Sequence, residues 1–154
     1  MPVMSRSRLS KLSYYFDGVD AIIFVASLSD YDVNADVSNE KPKLRDDMDF
    51  FASICNSKWF AKCSSIFLIL NKFDIFQKKL PTSPLKTCFP DYRGFDHPRE
   101  ATEFILHKFE NLNKNKSRTI HTRIMSVLKD EDTVHEFLEK VIGITATKLP
   151  KLKS

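Results

Sequence analysis

The chain has 154 residues, 42% of them hydrophobic, and a formal net charge of +4 from 24 basic and 20 acidic side chains. That length supports one domain with one core, and 13 Phe gathered in short runs exclude a disordered polar chain. The small basic excess is spread along the sequence without an aromatic-interleaved basic face, so nucleic-acid binding is not expected.

In chain order, residues 1–20 are basic and Ser-rich with no apolar stretch that could serve as a secretory signal, which predicts an intracellular protein. Residues 21–26 form a β-branched and aromatic run that predicts a strand buried on both faces. Leu44, Met48, Phe51 and Cys55 then recur at helical spacing. Residues 66–70 repeat the apolar strand pattern and stop at Asn71. Neither apolar run approaches the roughly 20 residues that a membrane helix needs, so no transmembrane segment is expected.

Residues 81–90, rich in Pro and Ser, predict one surface loop. A helix follows over 98–112, with Pro98 suited to its first turn and Ala101, Ile105, Phe109 and Leu112 on one face. A weaker strand is predicted over about 120–127. The last helix carries Val134, Phe137, Leu138, Val141 and Ile142 at i, i+3, i+4, i+7 and i+8, with Asp130 or Asp132 as its cap. Strands alternating with helices predict an α/β fold of about three parallel strands with flanking helices, whose ligand site lies beyond the strands' carboxyl ends. Cys55, Cys63 and Cys88 are expected as reduced thiols, and neither they nor His97, His107, His121 and His135 show metal-ligand spacing.

Asn71-Lys72-Phe73-Asp74 occupies the position where such a fold puts its ligand, and its side chains suit a guanine base. The Asp74 carboxylate can accept from both the N1 hydrogen and the exocyclic amino group of guanine, a pairing adenine cannot supply. The Asn71 amide can meet the O6 and N7 edge or brace a neighbouring loop; the Lys72 stem can lie across the ring face, and Phe73 turns inward.

Three further segments accompany that motif in order: Phe16-Asp17-Gly18-Val19-Asp20-Ala21-Ile22-Ile23-Phe24 with Ala26-Ser27-Leu28-Ser29-Asp30-Tyr31-Asp32; Phe51-Ala52-Ser53-Ile54-Cys55-Asn56-Ser57-Lys58-Trp59-Phe60; and Cys88-Phe89-Pro90-Asp91-Tyr92 followed by Phe109-Glu110-Asn111-Leu112-Asn113-Lys114. Together they resemble the α subunits of heterotrimeric G proteins over roughly residues 6–149. The resemblance implies the carboxyl-terminal half of a Ras-like P-loop NTPase fold, one partial domain over residues 1–154 running from the second switch to the last helix. It implies GTP and GDP as ligands, Mg2+ as the family's metal, and a transducer of G protein-coupled receptor signalling at the cytoplasmic face of the plasma membrane. The partners implied are the βγ dimer, a receptor and an effector. Asn71, Lys72 and Asp74 match the guanine-binding motif, Arg6 an arginine of the second switch, and Trp59 and Phe60 an effector-facing segment.

Against the same family pattern, the Gly-rich phosphate loop, the first switch and the helical insert domain have no counterpart, and the only glycines are Gly18, Gly94 and Gly143. Ser5 stands where the family has its water-positioning glutamine, and Met125-Ser126-Val127-Leu128 replaces the later base-contacting motif. Pro2 removes a myristoylation signal, and Pro150 stops the last helix short. The expectation is therefore a guanine-nucleotide binder of at best about millimolar affinity with impaired GTPase activity. The alternative is a nucleotide-independent module that binds βγ, effector or receptor.

Overall fold

The computed structural model describes residues 19–36, 39–63, 65–127, 129 and 131–146. Strand β1 (Ala21–Ser27) leads through a short 3-10 turn to a two-stranded antiparallel ribbon, β2 (Asn34–Asp36) and β3 (Asn39–Pro42), and then to helix α1 (Lys43–Cys55). Strand β4 (Ser65–Asn71), helix α2 (Phe73–Lys79), helix α3 (Pro98–Glu110), strand β5 (Thr119–Ile124) and helix α4 (Glu131–Ala146) follow. The main sheet has the order β1-β4-β5, with both pairings parallel and in continuous register from Ala21 opposite Ser65 to Ser27 opposite Asn71. The expected α/β arrangement of three parallel strands with helices on both faces is thus present.

The larger core lies on one face. Phe24 of β1, Leu44, Met48 and Phe51 of α1, and Ala101, Ile105 and Phe109 of α3 are all buried there. Their rings meet edge-on, Phe24 to Phe51 at 5.0 Å and Phe51 to Phe109 at 5.4 Å between centroids, a geometry that the aromatic quadrupole favours. Helix α3 begins at Pro98, whose missing N–H costs nothing in a first turn, and the Thr102 hydroxyl donates to the Pro98 carbonyl at 2.7 Å. On the opposite face a smaller cluster gathers Phe67 and Ile69 of β4, Met125, and Phe137 and Val141 of α4.

Five expectations need correction. Strand β1 is not buried on both faces: Phe24 and Ala26 are buried, but Ile23 and Val25 are 45% and 53% exposed, because on that side of the edge strand only Ala21 packs against the smaller cluster. The segment 81–90 is not merely a surface loop, since Leu85, Cys88 and Phe89 are buried in the larger core and the Leu85 N–H is held by the Asp96 carboxylate at 2.9 Å. Helix α3 stops at Glu110, and β5 at Ile124, so Met125–Val127 turns across the sheet's end instead of extending the strand. Helix α4 already includes Asp132, which therefore does not cap it; Asp130 lies outside the described residues. The β2–β3 ribbon and helix α2 were not expected. The ribbon's Asn, Asp and Pro are poor strand formers, and α2 has only seven residues.

All three cysteines are free and buried. Burial pushes the Cys55 thiol up to about 11, against the opposing pull of Arg118, and the Cys88 thiol up to about 12.

Candidate functional site

The carboxyl ends of the three parallel strands converge on the Asn71 to Asp74 loop. Ser27 at the end of β1 is opposite Asn71, and the chain leaving β5 crosses the loop from the other side. The Met125 N–H donates to the Leu70 carbonyl at 3.0 Å, and the Phe73 N–H donates to the Met125 carbonyl at 3.4 Å. The Val127 N–H donates to Asn71 Oδ1 at 3.0 Å, and the Asp74 N–H to Ser126 Oγ at 3.1 Å. Residues 125–127 thus hold the loop by main-chain and side-chain bonds. Of the two roles open to Asn71, the one observed is bracing that neighbouring loop.

Lys72 has φ 61° and ψ 37°, the left-handed region that a Cβ disfavours, and it forms the N-terminal boundary of α2. It is the sole non-glycine residue with positive φ among the described residues. The turn reverses the chain so that Phe73 packs against the larger core while Lys72, 46% exposed along its side chain, points out beside Asp30 with Nζ 3.9 Å from Oδ1. Asp30 in turn accepts from the Ser29 hydroxyl at 3.2 Å.

The Asp74 carboxylate lies at the rim of this end of the sheet. Lys129 Nζ is 2.6 Å from its Oδ2, and this contact is the main reason the carboxyl is held below its ordinary value; Ser126 adds to the effect and partial desolvation opposes it. Sequence reasoning gave neither Ser126 nor Lys129 a part in the site: Ser126 lay in the stretch read as a lost motif, and Lys129 directly follows it. The available signal was topological: in a parallel sheet the residues after β5 must lie beside those after β4.

A second set of bonds fixes the loop after β1. The buried Tyr31 donates its hydroxyl to the Ser83 carbonyl and packs edge-on against Phe76 at 5.3 Å. Lys79 donates to the Ser29 carbonyl at 2.9 Å and pairs with Asp32. The loops after β1 and α2 are therefore tied directly to one another.

The two aromatics expected to face a partner separate in the structure. Trp59 is 41% exposed with the Lys58 ammonium 4.9 Å from its ring centroid, whereas Phe60 is buried in the larger core. The turn that presents them is pinned from beneath by Arg118, itself 5% exposed, whose guanidinium donates to the carbonyls of Cys55, Phe60 and Cys63, the last at 2.9 Å. Arg6, Ser5 and Pro150 lie outside the described residues. Among the described residues no group of three His, Cys, Asp or Glu side chains could hold a metal ion. No helix among them is long and apolar enough to cross a membrane.

Comparison with known proteins agrees with this geometry. The family model for the G-protein alpha subunit matches residues 4–145. A curated relative from Sporothrix schenckii (strain ATCC 58251 / de Perez 2211183), described as "Guanine nucleotide-binding protein subunit alpha", is 42% identical over 117 residues, which is 76% of this chain and 33% of that protein. The chain thus spans about a third of the length of the curated relative it matches. Matched over nearly all its length, and folded as part of a Ras-like α/β domain, the chain belongs to the G-protein alpha subunit family.

Proposed function

We propose that this chain is a guanine-recognising part of a G-protein alpha subunit, in which Asp74 reads the base, Lys72 covers its face and Asn71 keeps the loop in shape. One observation carries this reading: the Asn71 to Asp74 loop, at the carboxyl end of the central strand, is held by the segment after β5 with its carboxylate at the rim. Family membership supports GTP and GDP as the ligands, and the βγ dimer, a receptor and an effector as partners at the cytoplasmic face of the plasma membrane. In that reading Arg6 belongs to the βγ-facing switch, and Trp59 offers the ring an effector would contact. In the same reading Ser5, too short to position a water where the family has its glutamine, leaves GTP turnover at background.

Thermal unfolding with millimolar GDP, and with ADP as control, tests base recognition. A ligand bound only to the folded state adds about 0.4 kcal/mol of stability at its Kd and about 1.4 kcal/mol at about tenfold over it. A shift with GDP and none with ADP is expected. Equal shifts, or cooperative unfolding with no shift at all, would leave the competing reading, a nucleotide-independent interaction module. The Lys129 contact favours that alternative, since it already occupies the base-reading carboxylate.

A further inference from the structure

We propose that Lys129 is an internal competitor for guanine: its ammonium takes the place of the base's N–H donors on Asp74, and the pair must open before the base can bind. The inference rests on the guanine-binding reading and concerns how that same site is regulated. Lys129 Nζ lies 2.6 Å from Asp74 Oδ2. A carboxylate that pairs with the N1 hydrogen and exocyclic amino group of guanine uses an in-plane lone pair on each oxygen. An ammonium on Oδ2 obstructs that arrangement.

The competitor is held in reach by the site's own framework. The Lys129 N–H donates to the Ser126 carbonyl at 2.7 Å, and Ser126 Oγ in turn accepts from the Asp74 N–H. The segment that braces Asn71 and Asp74 therefore also delivers the cation that blocks Asp74. The blocker can still leave: the Lys129 side chain is 59% exposed and that of Asp74 23% exposed, so water can solvate both groups when they part. An ion pair this open adds little to folding stability, and its removal is expected to leave the fold intact.

The test compares wild type, Lys129→Gln and Lys129→Ala by following the amides of Asn71 to Asp74 in an NMR titration with GDP, and with ADP as control. Opening an exposed pair of this kind costs the wild type roughly a two- to fivefold loss in affinity. Both variants should bind GDP tighter by that factor, with no change toward ADP. Unchanged or weaker GDP binding in the variants would overturn the inference while the guanine reading stands. No GDP response in any of the three proteins would overturn the guanine reading and the inference with it. A nucleotide-free readout separates a real ion pair from an idle contact: the Asp74 carboxyl, titrated by carbon NMR, should move up toward its ordinary value in Lys129→Gln. No movement would show that the pair does not form in solution and would likewise overturn the proposal.

Discussion

On one face of the sheet, Phe24 and Ala26 of β1 disappear beneath α1 and α3 into a core that also draws in Leu85, Phe89 and Tyr92 from the loop before α3. On the other face, Ile23 and Val25 of the same strand remain about half exposed, and the described cover is α4 lying over Phe67 and Ile69 of β4. Alternate residues of one strand thus meet opposite fates. The difference teaches that the first face is closed along β1 by two helices, whereas the second is closed over the central strand and reaches β1 only at Ala21. The Asn71 to Asp74 loop and the segment after β5 sit where the two meet, with Phe73 packed into the first face and Met125 into the second.

Truncation in each core is the strongest way to break that comparison. Phe51→Ala removes a fully buried ring with two edge-on partners and should cost about 3–5 kcal/mol in urea unfolding. Phe137→Ala, in the smaller cluster beside the exposed Leu138, should cost about half as much because water can relax into the gap. Equal losses would show the second face to be as tightly packed as the first.

Arg118→Met probes a polar tie within the first face. It leaves the carbonyls of Cys55, Phe60 and Cys63 without their shared donor, and should cost about 2–3 kcal/mol, with Arg118→Lys recovering part of the loss. Because those carbonyls flank Trp59, its fluorescence should report the loosened turn before global unfolding.

The smallest effect concerns charge on α1. Asp47 is pushed up to about 6, first by burial and then by repulsion from Asp30 and Asp46, with Lys43 opposing. The folded state therefore holds this proton more tightly than the unfolded chain, whose Asp titrates near about 3.9. Stability from this group is fully present below the unfolded value and is lost as pH rises toward about 6. Asp47→Asn should remove that slope and stabilise the protein near neutral pH by on the order of 1 kcal/mol, which thermal unfolding across pH 4–8 would measure.

Much of the first face was legible from the sequence, because Leu44, Met48, Phe51 and Cys55 keep strict helical spacing and 66–70 is an unbroken apolar run. The motif at Asn71 was equally legible, since its chemistry sits at one end of that run. What could not be read was the fate of residues whose partners are distant in the chain. The 21–26 run is as apolar as the 66–70 run, yet only the central position of β4 gives burial on both faces. Arg118 has the composition of a surface cation, and only the return of β5 beside β4 brings it under three carbonyls. Lys129 was hidden for the same reason: a pairing 55 residues apart leaves no local periodicity.

The placement of the sulfur atoms has a practical consequence. Cys55, Cys63 and Cys88 all belong to the first face, and burial keeps the thiols of Cys55 and Cys88 protonated at neutral pH. Because all three thiols are also buried, alkylation of the native molecule is expected to wait on opening of that face, so labelling should clock its breathing. A fluctuation confined to the helix over Phe67 passes unrecorded, so the rate of thiol capture measures one half of the sheet without interference from the other.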